Sequence, residues 1–414
     1  MTDRRQRIVF FAEPATLAHV VRPLVLARSL DPGEYQVTFA TGADFRSHVD
    51  AAGLEVHDLR CIGTRAYLAA VDAGRPVFPY DVLERYVEDD LRVIEHARPE
   101  IIVGDFRLSL AVSARLSGVP YLAISNAYWS PLAQGPFEVP VHAATRLFGV
   151  GFSNRVFELL RPLIFTQHSL PMHRLRRRHG MPSLGFDLTR VFTEGDVTLF
   201  ADVPELVPTA DAGQPGRYVY IGPVTWAPDG PLPSGLTGTN DERPLAFVSL
   251  GSSGDSRLLG EVVKGAVAAG CRVVASGSAD LLREADLHAG DFSIPGMLPG
   301  DRMAAISRVV VCNGGSPAVH QALQQGTPVL GIPANLDQLR NMHFITRSGA
   351  GLALRADQVT VQRVRSKVDR LLGEPSFALG AAKVRQWFSV YRADERFREA
   401  LSIIRSPRIP VARP

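Results

Sequence analysis

The sequence predicts an α/β protein made of two domains, each with a parallel sheet covered by helices on both faces. Short apolar runs alternate with segments of helical periodicity in both halves of the chain, which is the pattern of strand–helix–strand units. Residues 222–244 are rich in Pro, Gly, Ser and Thr, the composition of a linker between domains. A length of 414 residues with 46% hydrophobic residues is sufficient for two substantial cores.

The first half of the chain begins with a buried strand and continues as alternating strands and helices. The predicted strands lie at 7–12, 35–40, 54–59, 100–104, 120–124, 197–200 and 218–221. The predicted helices lie at 19–30, 44–52, 81–97 and 108–116. Because connections between parallel strands are long and usually helical, this order predicts one parallel sheet.

Residues 126–184 interrupt this alternation. They start with aromatic residues and prolines, continue as a long amphipathic stretch, and end in the basic run 174–179. Clustered basic side chains can contact phosphates, but they also favour the carboxyl end of a helix, here just before Gly180 and Pro182. No aromatic platform for nucleic-acid bases accompanies the charges, so we interpret the run as a solvated helix end.

The second half contains two glycine-containing turns between a strand and a helix. The first is Gly-Ser-Ser-Gly at 251–254, and the second is Asn-Gly-Gly at 313–315, after a run of valines. Backbone amides in such turns, together with the positive end of the following helix, can bind an anion such as a diphosphate. Asp337 and Gln338 follow the next predicted strand, 329–332, at the carboxyl edge where open α/β sheets bind ligands.

Composition excludes several classes of protein. The 45 basic and 42 acidic residues leave a net charge of only +3, so no overall field favours nucleic acid or an anionic membrane. Cys61, Cys271 and Cys312 lack metal-binding spacing and fit a reducing compartment. No apolar stretch has the length of a signal-peptide core or a membrane span. We therefore expect a cytoplasmic protein with no stable membrane insertion and no nucleic-acid partner.

The stretch 308–354 resembles the nucleotide-sugar signature of family 1 glycosyltransferases, in particular the bacterial natural-product and macrolide enzymes. The family pattern is His-Gly-Gly-x-Gly-Thr-x-x-Glu-Ala-Leu, then x-x-Gly-x-Pro, then Asp-Gln-x-x-Asn. The positions that match in order and spacing are Gly314, Gly315, Ala322, Leu323, Gly326, Pro328, Asp337, Gln338 and Asn341. The positions where the family has His, Gly, Thr and Glu are here Asn313, Pro317, Ala318 and Gln321. The resemblance implies a GT-B fold, in which two Rossmann-like domains face a central cleft.

The resemblance also implies a donor site with altered chemistry. Asn313 keeps an amide donor for a phosphate oxygen but loses the positive charge that histidine can carry. Gln321 stands where a glutamate accepts hydrogen bonds from ribose, and Met297 stands where an aromatic side chain stacks on the base. The positions assigned to the donor are Gly251, Ser252, Ser253, Met297, Asn313, Gly314, Gly315, Ser316, Gln321, Asp337 and Gln338. The alternatives are a site retained only for packing and, for Asp337, a helix cap.

In the first half, the resemblance implies a catalytic pair. His19, within AHVVRP, resembles the general base of the family's Gly-His-x-x-Pro motif, although Ala18 replaces the glycine and the proline comes one residue later, at Pro23. Asp105 ends the run IIVGD, where the family places the carboxylate that orients its histidine. The carboxyl ends of parallel strands meet at one edge of a sheet, so we expect the two side chains to lie close together. Local roles at helix ends are the alternative.

Three further residues are assigned to the acceptor. Glu13 follows the first strand and is also a second candidate for the base. Phe148 and Phe152 lie on apolar helical faces that can line a pocket for an apolar molecule. In the resembling family this region is the variable part that binds the acceptor.

These assignments predict four segments. They are an acceptor-binding domain at 1–222, a linker at 223–243, a nucleotide-sugar-binding domain at 244–390, and a C-terminal helix at 391–414 that packs back on the first domain.

The predicted function is inverting transfer of a sugar from a UDP- or dTDP-linked donor to an apolar small molecule such as a secondary metabolite, with His19 as the base and Asp105 orienting it. The chain has no Asp-x-Asp pair, so no metal or other cofactor is expected. The expected partners are the acceptor and the nucleotide sugar, and the oligomeric state is open between monomer and homodimer. Two alternatives are a non-catalytic homologue that acts as an auxiliary or binding protein and a sugar-nucleotide epimerase of the same fold.

Overall fold

A computed structural model describes residues 5–210, 216–233, 236, 241–251, 253–277, 292–295 and 297–405, the strand 292–295 by its backbone. The chain divides into two compact units. The first unit comprises Met1–Gln134, Leu160–Val224 and Tyr391–Pro414, and the second comprises Gly135–Leu159 and Thr225–Val390. Each unit contains one parallel sheet, so the predicted fold class is confirmed. Among the described residues, no helix combines the length and apolar character needed to cross a membrane.

The first unit is built on a seven-stranded parallel sheet with the order β3-β2-β1-β4-β5-β6-β7. The strands are β1 (Gln6–Ala12), β2 (Tyr35–Thr41), β3 (Glu55–Asp58), β4 (Ile101–Asp105), β5 (Tyr121–Ser125), β6 (Val197–Phe200) and β7 (Tyr218–Tyr220). The central strands are continuous apolar runs because helices cover both of their faces. In the register of β1 with β4, Ala12 pairs with Asp105, so both strands end at the same level.

The helices of the first half follow the strands in the expected alternation. They are α1 (Leu17–Arg28), α2 (Arg46–Asp50), α3 (Gly63–Asp72), α4 (Tyr80–Ala97), α5 (Leu110–Ser117), α6 (Ala143–Phe148), α7 (Val150–Arg178) and α8 (Leu188–Phe192). The basic run 174–179 lies in the last turn of α7 and just beyond it, where cations favour the negative end of the helix dipole.

The second unit is built on a six-stranded parallel sheet with the order β10-β9-β8-β11-β12-β13. The strands are β8 (Leu245–Ser249), β9 (Arg272–Gly277), β10 (Phe292–Pro295), β11 (Val309–Cys312), β12 (Val329–Gly331) and β13 (Gly351–Ala353). The helices of the second half of the chain are α9 (Leu259–Ala268), α10 (Gly300–Ile306), α11 (Ser316–Gln324), α12 (Leu336–Arg347), α13 (Val361–Gly373), α14 (Pro375–Val390) and α15 (Ala393–Arg405).

The last helix, α15, belongs to the first unit and completes its core. Phe397 and Leu401 are fully buried in the same apolar cluster as Ile8 and Phe10 of β1. The rings of Phe10 and Phe397 lie 6.0 Å apart, within the range of favourable aromatic pairs. The core on this face of the first sheet is therefore assembled from the two ends of the sequence.

The segment 135–159 corrects the predicted boundaries, which placed all of 1–222 in one domain. Its backbone is held by side chains of the second unit: Arg340 Nη1 donates to the Gly135 carbonyl and Arg355 Nη1 to the Val139 carbonyl, both at 2.8 Å. The Val141 amide donates to the Ala334 carbonyl at 2.7 Å. These partners are distant from the segment in sequence, so no local pattern indicates them.

Replacing Arg355 with methionine is expected to speed amide hydrogen exchange across 138–148 by at least about tenfold, because each hydrogen bond to a charged group contributes about 1.5–3 kcal/mol. Arg355 is buried, donates to Val139, and also pairs with Asp357, whose other oxygen accepts a 2.6 Å hydrogen bond from Thr145. Arg363→Met is the matched control, since Arg363 makes its hydrogen bonds at the exposed start of α13. Unchanged exchange in Arg355→Met would contradict this role.

Candidate active site

His19 and Asp105 are brought together at the carboxyl edge of the first sheet. Asp105 is the last residue of β4, and His19 lies in the first turn of α1, which follows β1 after a short loop. Nδ1 of His19 lies 2.8 Å from Oδ1 of Asp105. The Asp105 side chain is fully buried, whereas the His19 side chain is 17% exposed. The imidazole is therefore anchored at Nδ1 and still reachable from solvent.

Arg22, one helical turn after His19, binds the same carboxylate. Its Nε donates to Oδ2 of Asp105 at 2.9 Å, and its Nη2 donates to Oδ1 at 2.8 Å. The Asp105 carboxylate thus makes a bidentate contact with the Arg22 guanidinium and a single contact with the His19 imidazole. We assign the imidazole proton to Nδ1, because a bare nitrogen lone pair 2.8 Å from a carboxylate oxygen would be repelled. In this tautomer Nε2 of His19 carries the free lone pair.

The network continues across two more strands of the first sheet. Nη1 of Arg22 donates to Oδ1 of Asn126 at 2.7 Å, and Nδ2 of Asn126 donates to Oδ2 of Asp202 at 3.1 Å. The same Asp202 oxygen accepts the Ala127 amide at 2.6 Å. Asn126 follows β5 and Asp202 lies just beyond β6, so polar residues at the ends of three neighbouring strands, β4, β5 and β6, are linked. Arg22, Asn126 and Asp202 are not among the predicted site residues, although the position of the last two directly after strands was a usable signal.

Phe106 fixes the plane of the His19 ring. It follows Asp105 with φ = 59°, a left-handed conformation that is costly for a residue with a Cβ. Its ring stacks on that of His19 with a centroid distance of 4.5 Å and an interplanar angle of 10°. The imidazole is thereby held by a carboxylate at Nδ1 and by an aromatic ring against its face.

Glu13 does not have the predicted role of acceptor contact or second base. It is fully buried, with Oε2 at 2.9 Å from Nη1 of Arg107, and Oε1 accepts the hydroxyl of Tyr86 at 3.0 Å. Burial raises the pKa of Glu13, although the charge and hydrogen bond of Arg107 oppose the rise. The same guanidinium binds Asp90 at 2.9 Å through Nε. Glu13 is therefore part of a buried ionic cluster that supports the sheet edge.

Phe148 and Phe152 lie at the end of α6 and the start of α7. Both side chains are largely exposed, at 61% and 60%, and their rings pack on each other with centroids 6.1 Å apart. Neighbouring exposed apolar side chains extend this surface along the chain: Leu147, Val156, Leu159, Leu160 and Leu163.

In the second unit, the turns after β8 and β11 are tied together through Asn313. Its Nδ2 donates to the Ser253 hydroxyl at 3.1 Å, and its Oδ1 accepts the Gly315 amide at 3.0 Å. Gly251, in a left-handed conformation with φ = 63°, lies directly beside the Asn313 side chain. Ser252, also assigned to the donor, lies outside the described residues. The Asn313 side chain thus joins the two turns of the predicted phosphate loop. Its Oδ1 already accepts the Gly315 amide, so that amide is used within the loop.

Gly314 turns the chain from β11 towards α11 with φ = 82°. A Cβ at this position would lie 2.7 Å from Cγ of Met342, so the glycine is required for both its conformation and its packing. Nδ2 of Asn341 donates to the Gly314 carbonyl at 2.8 Å. Ser316 then begins α11, with Pro317 in the first turn where no intrahelical amide is lost.

Gln338 is used by the protein itself, which changes its predicted role as a ligand of sugar hydroxyls. It is only 2% exposed, its Oε1 accepts the Ala334 amide at 2.9 Å, and its Nε2 donates to the Ser253 carbonyl at 3.1 Å. With Asn335 it forms a reciprocal cap on α12. Asp337 is half-buried in the same first turn, and its contact with sugar hydroxyls stays a prediction.

The two remaining donor positions are Gln321 in α11 and Met297 just before α10. Nε2 of Gln321 donates to the Trp226 carbonyl, and its Oε1 lies beside Gly300 at the start of α10. A Cβ at position 300 would lie 2.3 Å from that oxygen, so the Gln321 side chain would have to move. Met297 is 51% exposed, so its thioether offers an accessible apolar surface.

Comparison with known proteins identifies the enzyme class. Residues 293–389 match the family described as erythromycin biosynthesis protein CIII-like, C-terminal domain. The chain is 43% identical over 385 residues to a PGL/p-HBAD biosynthesis glycosyltransferase of Mycobacterium tuberculosis (strain ATCC 25177 / H37Ra), covering 93% of this chain and 89% of the relative. It is 43% identical over 391 residues to a PGL/p-HBAD biosynthesis rhamnosyltransferase of Mycobacterium bovis (strain BCG / Pasteur 1173P2), covering 94% and 85%.

The solved structure of a spinosyn rhamnosyltransferase, SpnG, complexed with thymidine diphosphate superposes with a TM-score of 0.68 at 19% identity, over 96% of this chain and 100% of that one. At that identity the likeness shows the fold, which is GT-B. The similarity to the mycobacterial relatives extends over nearly the whole chain and therefore covers both units. The protein is a glycosyltransferase and belongs to the family of the PGL/p-HBAD biosynthesis glycosyltransferases.

Proposed function

We propose that this enzyme transfers a sugar from a dTDP- or UDP-linked donor to an apolar small molecule, with inversion at the anomeric carbon and without a metal ion. The observation that carries the proposal is the His19–Asp105–Arg22 arrangement, which leaves Nε2 of an oriented imidazole available as a proton acceptor. Histidine suits this task because its proton affinity lies near neutral pH.

In the proposed step, the acceptor hydroxyl gives its proton to Nε2 of His19 as its oxygen bonds to the anomeric carbon. The bond from that carbon to the phosphate oxygen breaks, and its electron pair leaves with the nucleoside diphosphate. Asp105 stabilises the imidazolium that forms. Arg22 holds the carboxylate by both oxygens, so the carboxylate is fixed in orientation towards Nδ1 of His19.

The donor is proposed to bind along the loops after β8 and β11 in the second unit. Backbone amides at the start of α11 and the helix dipole can hold the diphosphate, so a metal ion is not required to stabilise the leaving group. Asp337, in the first turn of α12, is proposed to accept hydrogen bonds from sugar hydroxyls. The thymidine diphosphate bound by the spinosyn enzyme and the rhamnosyl transfer named for the M. bovis relative support a dTDP-linked 6-deoxyhexose as the first donor to test.

The acceptor is proposed to contact the exposed aromatic pair Phe148 and Phe152, as the sequence predicts. Apolar side chains that are exposed together indicate a binding surface. The relatives are named for PGL/p-HBAD biosynthesis, which supports a biosynthetic small molecule as the acceptor. Phenols are the first acceptors to test, because a phenol combines an apolar ring with a weakly acidic hydroxyl.

The proposal is tested by incubating purified enzyme with dTDP-rhamnose, dTDP-glucose or UDP-glucose and a panel of phenols, each with and without EDTA. By NMR we expect inversion at the anomeric carbon, so that an α-linked donor gives a β-linked product and a β-linked donor gives an α-linked product. We expect the same rate of transfer with and without EDTA. Absence of transfer, of donor hydrolysis and of calorimetric binding for all donors would refute it. An arm without acceptor distinguishes an epimerase, which would convert the donor by itself.

Replacing Gly314 with alanine is expected to abolish measurable donor binding and to destabilise the protein by about 2–4 kcal/mol, because the side chain adds a clash with Met342 to the strain of φ = 82°. Gly349→Ala is the matched control. Gly349 has nearly the same conformation, φ = 74°, but an added Cβ would meet no atom within 4 Å, so only the backbone strain of about 1–2 kcal/mol is expected. Calorimetry with dTDP and urea unfolding measure the two effects, and equal losses in both variants would contradict the packing argument.

A further inference from the structure

A cluster of two histidines and one glutamate lies on the edge of the first sheet, outside the proposed reaction. Glu55 and His57 are on β3, the terminal strand of the sheet, and His96 is in the last turn of α4. One ligand atom from each of the three side chains lies within 4.8 Å of those of the other two. We propose that these three residues form a binding site for Zn²⁺.

The local structure explains why the three side chains converge. Residues two apart on a strand point to the same face, which places Glu55 beside His57. In the sheet register His57 is level with Ala40 of β2 and Phe11 of β1. Ala40 and Phe11 pack in the same core cluster as Val93 and Ile94 of α4. The face that carries His57 is therefore the face covered by α4. His96, two residues after Ile94, then reaches the edge strand, and the two imidazoles meet edge to face with centroids 5.2 Å apart.

The buried Nε2 of His57, unpartnered among the described residues, is the observation that points to a ligand. Its Nε2 is buried and makes no hydrogen bond to any described residue, and the nearest carboxylate oxygen, Oε1 of Glu55, is 3.8 Å away. A buried polar atom without a partner is costly unless something else satisfies it.

The electrostatic surroundings also suit a cation. His96 lies in the last turn of α4, where the helix dipole presents partial negative charge. Arg92 is the positive side chain that faces the cluster, but its Nη2 donates to the Asp58 carbonyl at 3.0 Å and lies 3.6 Å from Asp89, so its charge is already offset. Asp58 also lies near His57, and its carboxylate is paired with Arg46, so these two charges offset each other.

The donor set selects the metal. Two imidazoles and one carboxylate are a common protein complement for Zn²⁺, with bonds of about 2.0–2.2 Å, whereas Mg²⁺ and Ca²⁺ prefer oxygen ligands throughout. Glu55 and His96 are exposed and can close on an ion by small side-chain rotations. A fourth position is left for water. Bound there, the ion would join the edge strand β3 to the end of α4 and take no part in glycosyl transfer.

The test is calorimetric titration of the tag-free, EDTA-treated enzyme with Zn²⁺, and separately with Mg²⁺, at pH 7.5. We expect one Zn²⁺ per chain, no binding of Mg²⁺, and an increase in Tm with Zn²⁺, because a ligand that binds only the folded state stabilises it. His57→Asn and His96→Asn should each weaken Zn²⁺ binding by at least about tenfold and remove the Tm increase.

The matched control is His179→Asn, which removes a histidine outside the cluster and should bind Zn²⁺ like the wild type. His96 is exposed, so its variant is expected to fold normally and to retain glycosyl transfer even if His57→Asn does not fold. Absence of Zn²⁺ binding by the wild-type enzyme would overturn the proposal. Unchanged binding in His96→Asn would overturn it equally, because the metal would then lie elsewhere.

Discussion

Replacing His19 with alanine is expected to lower the rate of glycosyl transfer by about two to four orders of magnitude, while donor binding stays within about twofold of the wild type. The size follows from the usual contribution of a positioned general base. The selectivity follows from the location of His19, since it lies in the first unit and the proposed donor loops lie in the second. Initial rates with saturating donor and acceptor, together with dTDP calorimetry, measure the two quantities.

The control for His19→Ala is His179→Ala, which removes a histidine outside both sites and should leave the rate unchanged.

Asp105→Asn is a second variant that tests the partner of His19. An asparagine can still occupy the space between His19 and Arg22, but it cannot offset the charge of either. We expect it to lower the rate and also to destabilise the fold, whereas His19→Ala lowers only the rate. A His19→Ala enzyme with more than about half of the wild-type rate would remove His19 from the mechanism.

Replacing Arg107 with methionine is expected to destabilise the protein by about 3–5 kcal/mol, the usual cost of removing one partner of a buried ion pair. Arg107 is fully buried and binds both Glu13 and Asp90, which are buried as well. Its guanidinium also lies over the ring of Tyr86, 3.6 Å from the centroid. Without it, two buried carboxylates lose the guanidinium that offsets their charge. Urea unfolding at pH 7.5 measures the loss.

The loss in Arg107→Met should depend on pH in a defined direction. Burial raises the pKa of Glu13 and of Asp90, and loss of the Arg107 charge raises both further. The folded variant then binds protons more tightly than its unfolded chain, so its stability falls as pH rises above the ordinary carboxyl range. We therefore expect a larger deficit at pH 8 than at pH 5. A deficit that grows on acidification would contradict the assignment.

The matched control is Arg85→Met, the same substitution on the solvent side of α4. Arg85 is half-exposed and pairs with Asp81 four residues earlier. Exposed ion pairs of this kind contribute little, so the change should stay within about 0.5 kcal/mol and show no such pH dependence. Similar losses in both variants would mean that the effect reflects helix α4 in general and not the buried cluster.

The proximity of His19 and Asp105 could be predicted from sequence because it depends on topology. Both follow strands of one parallel sheet, and such strands end at one edge. The role of Arg22 could not be predicted in this way, because the sequence alone shows only a proline displaced by one residue. The arginine that occupies the vacated position is a turn away from His19 and binds the same carboxylate. The arginine at position 22 and the shift of the proline to position 23 are therefore two parts of one local change.

Glu13 and Gln338 show what the sequence could not provide. Each lies at a strand end or helix start near the predicted sites, and each has polar groups suited to a ligand. Whether those groups face a ligand or another part of the protein depends on partners far away in sequence. Glu13 meets Arg107 and Tyr86, and Gln338 meets Ser253. Spacing along the chain carries no information about such long-range pairs, so only coordinates separate a binding residue from a supporting one.

The placement of α15 has a consequence for biosynthesis. The apolar face of the first unit includes Phe397, Ala400, Leu401 and Ile404, which leave the ribosome only after the entire second unit has been translated. Until then, the amino-terminal portion presents an unfilled apolar groove to solvent. A fragment ending near residue 390 should accordingly be produced as inclusion bodies or chaperone-bound material, and co-expression of the missing helix as a separate peptide is the natural way to recover it.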